Sequence, residues 1–376
     1  MEDAKQSVHA NEQVKNELAN LASKKQDNNL ITEIKPQTER IEWIVILRAV
    51  ACMAVVMIHV LGSYVKNNCL NNYGTFRTFF DGVLIQPFIC FAVPCFMMIS
   101  GYLLLDPKRD VNISKLIKYS IKILILYIVA LFVYVFLFNF SFEYLINFNM
   151  FSNWLYQSII DFIKNLIGIL VTEGVVFLWY LPMLIGLYLA TPILRIFIKH
   201  ADKKTSYFVL ISLFITTCII PDFNNLLNIN IPTFVEFGGS VFIYLLGYYI
   251  GHANLFKDKY IYTAGIIGFF GYLIICLFDM QNQCNAFLVL EAIMVMRLFS
   301  SHKIKNNHFI NCISKYSLGI YVTHLFWLGV ANVIGIYFTM MPPLIGEFVI
   351  FAYAIIMSLL SSMILYRLPL VKKLFK

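Results

Sequence analysis

Apolar residues in this chain come in long runs, and polar residues punctuate the runs rather than alternate within them. A helix needs about 20 residues to cross the hydrocarbon of a bilayer. Runs of that length predict ten spans, over 42–64, 81–105, 114–139, 174–199, 205–220, 236–251, 259–278, 284–300, 313–334 and 344–368. The connections hold turn formers, such as Pro221-Asp222-Phe223-Asn224-Asn225 and Met341-Pro342-Pro343. Strand-like alternation is weak, which argues against an outer-membrane barrel. The fold class is therefore all-α, a polytopic transmembrane helical bundle of about ten spans.

Two stretches break this rhythm. Residues 1–40 contain no apolar run, with six Lys/Arg and seven Asp/Glu, and read as a polar, disordered cytoplasmic tail with a short helix near 11–24. They also lack the apolar region of a cleavable signal peptide. Residues 41–376 form the transmembrane domain. The stretch 140–172 is long for a connection and mixes Trp154, Tyr156, Asp161 and Lys164 with apolar residues. It suits an amphipathic helix lying at the outer interface.

Composition agrees with a membrane protein: 60% of residues are hydrophobic and 13% charged, with a mean hydropathy of +0.74, where soluble domains carry about 25% charge. The net charge of +8 reflects loops that share one side, and nucleic acid is not an expected partner. Lys108, Arg109, Lys115, Lys118, Arg195, Lys199, Lys203, Lys204, Lys257, Lys259, Arg297, Lys303, Lys305, Lys315, Arg367, Lys372, Lys373 and Lys376 fall on one set of loops. The alternate set holds only Lys66, Arg77 and Lys164. The positive-inside rule then places both termini in the cytoplasm, as an even number of spans requires. The cysteines show no C-x-x-C spacing, so no metal site is expected. Cys69 and Cys284 fall in loops and are candidates for pairing.

The first span carries the most informative polar residues. Arg48 and His59 are eleven positions apart. At about 100° per residue they share one helix face, roughly 16 Å apart along the axis. Central arginine in a spanning helix costs roughly 2.5–3.5 kcal/mol on insertion scales, so such a residue usually faces a cavity or a partner. Histidine is suited to accept and return a proton near neutral pH, although one near a helix end also suits the headgroup layer. His324 lies deeper, within the ninth span. Glu291, in the eighth, is an acid that could pair with Arg48 or another cation. Span 2 contains Pro94, which predicts a kink, and Ser100-Gly101, which allows close backbone approach or simple helix packing. Glu173, Trp179 and Tyr180 open span 4, where ordinary interfacial aromatics are also common, and Pro182 predicts a second kink.

Taken in order, these segments resemble the acyltransferase-3 family of integral membrane acyltransferases. Arg48 and His59 match its first-span signature of an arginine, ten residues and a histidine. Ile99-Ser100-Gly101-Tyr102-Leu103 is similar to its Ser-Gly segment. Leu178-Trp179-Tyr180-Leu181, followed by Leu187-Tyr188-Leu189-Ala190-Thr191-Pro192-Ile193-Leu194-Arg195, is similar to its fourth-span signature. Ser317-Leu318-Gly319-Ile320-Tyr321-Val322-Thr323-His324 resembles its late Tyr-x-x-His segment. The resemblance covers roughly residues 40–370. Two positions depart from the pattern: Phe177 stands where members often have histidine, and lysines dominate the entry to span 3 (Lys108, Arg109, Lys115, Lys118, Lys122), where many have arginines.

The resemblance implies transfer of an acyl group, acetyl by default, from cytoplasmic acyl-CoA as co-substrate, with no bound cofactor. The acceptor it implies is a hydroxyl of a cell-envelope glycan or lipid-linked sugar, in a bacterial plasma membrane among membrane lipids. His59 and Arg48 would be catalytic. Lys108, Arg109, Lys115 and Lys118 would meet the donor's phosphates. Ser100, Glu173, Trp179, Tyr180, Glu291 and His324 would line the cavity or face the acceptor. A transporter or flippase for a glycan or lipid would also use Arg48 and His59 in a polar cavity, but no internal repeat supports it. A membrane anchoring or sensing module is a third reading, without an attached soluble enzyme to favour it.

Overall fold

The computed structural model describes residues 41–68, 84–138, 147–171, 178–227, 229, 238–252, 255–277, 285–334 and 343–375. The tail at 1–40, Glu173, Cys69 and Cys284 lie outside the described residues. Trp43–Lys376 forms one compact unit, and the regular elements described within it are helices. In chain order they are α1 (Glu42–Asn68), α2 (Ala92–Leu104), α3 (Ile113–Phe138), α4 (Phe148–Val171), α5 (Tyr180–His200), α6 (Lys203–Phe214), α7 (Ile220–Leu227), α8 (Gly238–Gly251), α9 (Asp258–Leu277), α10 (Ala286–Ser301), α11 (His308–Val333), α12 (Pro343–Leu365) and α13 (Pro369–Phe375).

The protein is an all-α, multi-pass membrane bundle. Seven stretches among the described residues are long and apolar enough to cross a bilayer: Glu42–Gly62, Gln86–Leu104, Ile113–Phe136, Tyr180–His200, Lys203–Leu227, Asp258–Leu277 and Ile345–Leu365. Each of the ten predicted spans has a helical counterpart. The amphipathic stretch after span 3 is also helical, as α4, and packs aromatic residues on α3, with Phe162 against Phe132 and Trp154 against Phe136.

Three local expectations are corrected. Pro94 and Pro182 do not kink their helices, because each stands in the first turn, where the missing N–H would have had no intrahelical partner. Span 2 is instead interrupted ahead of Pro94, by a 3-10 turn at Gln86–Phe88. The interior proline of α5 is Pro192. Third, Pro221-Asp222-Phe223-Asn224-Asn225 is helical rather than a loop. A π-helical turn, Ile215–Ile219, joins α6 to α7, and such a widened turn lets a proline follow without breaking the helix. Asp222 then caps α10 from outside, accepting the Ala286 amide at 2.8 Å and the Asn285 side-chain amide at 3.1 Å.

Two apolar clusters position the site. One joins α3, α5 and α11 through Leu126, Tyr127, Leu131, Tyr134, Leu181, Leu184 and Val322. The other joins α1, α11 and α12 through Ala49, Cys52, Val56, Ile313, Ile320 and Ala354. Helix α2 lies hard against α8. A Cβ placed on Gly101 would meet the Tyr244 carbonyl oxygen at 1.8 Å, and one on Gly247 would meet the Met98 carbonyl oxygen at 2.0 Å. The packing reading of Ser100-Gly101 therefore holds for Gly101: only glycine permits this crossing distance.

Candidate functional site

Arg48, Cys52, Val55 and His59 recur at the three- and four-residue spacing of one helix face, and all four line a single cavity of about 290 Å³. The α1 stripe thus faces an open space, as two polar residues in a spanning helix require. The opposite walls come from α2 (Val93, Phe96, Ser100), from the start of α5 (Trp179, Tyr180, Leu184), from α11 (Ser314, Lys315, Ser317, Leu318, Tyr321) and from Tyr366, just after α12.

The middle of the cavity is built from aromatic rings. Tyr180 stacks edge-on to Tyr321 at 5.7 Å between centroids and contacts Phe96 and Trp179 at 6.3 and 6.2 Å. The Ser100 hydroxyl lies against the Tyr180 hydroxyl, and its own proton reaches the Phe96 carbonyl at 3.0 Å. The Tyr321 hydroxyl lies by the backbone amide of Tyr180. Helix α5 begins at this point, and the Tyr321 hydroxyl partners an amide of its first turn.

Cations occupy one end. The Arg48 guanidinium lies within electrostatic reach of the hydroxyls of Tyr180, Tyr188 and Tyr366. Lys315 is exposed at the same wall, its ammonium 4.9 Å from the Tyr316 ring centre. At the other end His59 meets His324. Their ring centroids are 5.0 Å apart and the planes are tilted by 45°. His324 is fully buried, with Nδ1 3.1 Å from the Ile320 carbonyl. Its Nε2 has no hydrogen-bond partner among the described residues. With Nδ1–H donating to that carbonyl, Nε2 carries the lone pair.

The structure therefore brings together Arg48, His59, Ser100, Trp179 and Tyr180, with His324 behind His59. It places the other candidates elsewhere. Glu291 does not line this cavity; it is buried on α10 where Gly268 of α9 abuts its backbone, and its Oε2 has no hydrogen-bond partner among the described residues. Lys108, Arg109, Lys115 and Lys118 also lie outside the cavity lining. Arg109 pairs with Asp106 at 3.7 Å and Lys115 with Asp110 at 4.0 Å, while Lys108 and Lys118 are exposed.

Some wall residues were not singled out by the sequence. Tyr321 was visible only inside a longer segment, although Ser314, Ser317, Tyr321 and His324 recur at helical spacing. Lys315 was counted only for orientation, and Tyr366 carries no local signal. Arg195 was one loop charge among many. In the structure it is a clamp, donating to the carbonyls of Leu104 (2.8 Å), Asp106 (2.8 Å), Pro107 (3.5 Å) and Arg109 (2.7 Å).

A model of an acyltransferase domain family matches residues 41–367 of this chain, which takes in every wall of the cavity. No curated protein and no solved structure matches it.

Proposed function

The chain belongs to the acyltransferase-3 family and is a membrane acyltransferase, and on that premise we propose that it transfers an acetyl group from cytoplasmic acetyl-CoA to a hydroxyl of a cell-envelope glycan or lipid-linked sugar. The proposal places it in a bacterial plasma membrane with both termini in the cytoplasm. Acetyl-CoA is a co-substrate, and no resident cofactor is invoked. The observation that carries this reading is the shared cavity of Arg48 and His59, one cationic and one basic group on a single face of α1.

In the proposed reaction His59 takes the proton of the acceptor hydroxyl as its oxygen attacks the thioester carbonyl. The tetrahedral intermediate collapses, the C–S bond breaks, and the thiolate of coenzyme A leaves and is protonated by the imidazolium. An ester and free coenzyme A result. His59 and Arg48 are roughly 16 Å apart along the helix axis, too far for both to serve one carbonyl. Arg48 therefore holds the donor at a distance from the reacting carbon, while His59 works at the carbon itself. The fixed guanidinium fork suits an anionic or carbonyl-rich donor better than a point charge would. Ser100 and Tyr180 line the same cavity, their hydroxyls against each other.

The test is turnover of radiolabelled acetyl-CoA by the purified protein and by membranes bearing it, read as coenzyme A release and as label transferred to membrane material. A positioned base contributes about 10²–10⁴-fold, so His59→Ala at equal expression loses activity by that factor. Wild-type rates in His59→Ala would sink the mechanism. Movement of a glycan or lipid without coenzyme A release would favour a transporter instead.

A further inference from the structure

Tyr134 lies on α3, yet its hydroxyl reaches into the backbone of α11. It donates to the Val322 carbonyl at 2.8 Å and accepts from the Phe326 amide at 3.1 Å. Residues 322 and 326 are the carbonyl and amide that form one rung of an α-helical ladder. The phenol stands across that rung, with both its donor and its acceptor capacity used. Side-chain entry into the ladder is a recognised cause of a local bend. The turn enclosed by the rung is Thr323, His324 and Leu325.

His324 needs such a device. Its ring lies 5.0 Å from that of His59, the side chain is fully buried, and its hydrogen bonds run back to the Ile320 and Tyr321 backbone on its own helix. Its Nε2 has no hydrogen-bond partner among the described residues. The direction of this ring is therefore set by how its own turn is held. We infer that Tyr134 is a positioning residue: by bridging Val322 and Phe326 it fixes the turn that aims His324 at His59. The inference rests on the reading in which His59 accepts the acceptor's proton, with His324 fixing the ring of His59.

A purely structural role would look different. The Tyr134 ring belongs to the apolar cluster with Leu131, Leu181 and Leu184. Phenylalanine would keep that packing. The Val322 carbonyl and the Phe326 amide would still face each other within the continuous helix, so no backbone group need be stranded. Tyr134→Phe therefore separates the hydroxyl's work from the ring's.

The experiment uses the purified full chain with acetyl-CoA as probe and compares Tyr134→Phe, His324→Gln and the double variant. Small misplacements of a reacting group cost on the order of tens-fold in rate. Tyr134→Phe is expected to lower kcat by about tenfold, with the donor KM and the melting temperature unchanged, and to add no further loss in the His324→Gln background. Unchanged kcat in Tyr134→Phe, unchanged kcat in His324→Gln, or losses that multiply in the double variant would each overturn the inference. Failure of the general-base reading registers separately, as full activity in His59→Ala. Non-additivity of Tyr134 and His324 would then still report their coupling.

Discussion

The imidazole of His324 stands 5.0 Å from that of His59, and only His59 of the two lines the cavity. The pair is thus layered: one ring faces the cavity, and the other lies behind it, fully buried. A buried ring tied to the backbone of its own helix is a rigid wall. It limits the rotamers open to His59, whose ring it faces at 5.0 Å.

Replacing the bracing ring should therefore reduce turnover without abolishing donor binding. His324→Ala is expected to lower kcat by roughly ten- to hundredfold, below the loss for a positioned base itself. The KM for acetyl-CoA should change by no more than about twofold, because the anchor proposed for the donor is Arg48, at the other end of the stripe. Steady-state kinetics at equal expression checks this. A rise in KM with kcat intact would mean that the second histidine belongs to the donor site.

Arg48 lies among tyrosine hydroxyls, with Tyr180, Tyr188 and Tyr366 in reach. A planar fork can serve several such oxygens and a ligand together, whereas an ammonium is a compact point charge. Arg48→Lys is expected to raise the KM for acetyl-CoA by about tenfold, equivalent to about 1.4 kcal/mol. Arg48→Ala should raise it further. Equal KM values in the arginine and lysine proteins would leave charge alone as the requirement.

The α1 stripe was legible in the sequence because spacing within one helix is set by local geometry. Arg48 and His59 had to share a face whatever surrounded them. Helix type followed equally well from apolar run length. What the sequence hid are contacts between helices distant along the chain. Nothing near Tyr134 announces that its hydroxyl enters α11, and nothing near Arg195 announces that it holds residues 104–109. For the lysines and arginine at the entry to α3, charge alone does not tell where the segment folds. In the structure Arg109 and Lys115 are turned to Asp106 and Asp110. Pro94 and Pro182 predict kinks only if the helices start where the apolar runs do, at 81 and 174; α2 and α5 begin at Ala92 and Tyr180, which puts both prolines in a first turn.

The crossing of α2 and α8 gives a paired stability prediction. A methyl on Gly101 would drive into the Tyr244 carbonyl oxygen, a backbone atom that no rotamer change can move. Overpacking typically costs about 1–3 kcal/mol, so Gly101→Ala should lower the melting temperature in detergent clearly. A Cβ on Gly186 meets nothing within 4 Å, and this glycine lies within α5. Gly186→Ala should be neutral or stabilising by about 0.5–1 kcal/mol. Equal melting temperatures for the two variants would contradict the close crossing.

Arg195 supports a loop prediction with a direct chemical readout. Its guanidinium donates to four carbonyls between Leu104 and Arg109, and its own helix, α5, also lines the cavity through Tyr180 and Leu184. The clamp thus ties the segment after α2 to the helix that opens the site. Hydrogen bonds from a charged donor contribute about 1.5–3 kcal/mol each at most, and Arg195→Ala would strand several carbonyls at once. The loop should then open locally, exposing the bonds after Lys108 and Arg109 to trypsin. Cleavage there is expected to accelerate by at least about tenfold in Arg195→Ala, the ratio that corresponds to about 1.4 kcal/mol of local opening. Arg195→Lys should fall between, since three donors on one nitrogen cannot span carbonyls from Leu104 to Arg109. Cleavage after Lys108 and Arg109 at the wild-type rate in both variants would show that the loop holds its shape without the clamp.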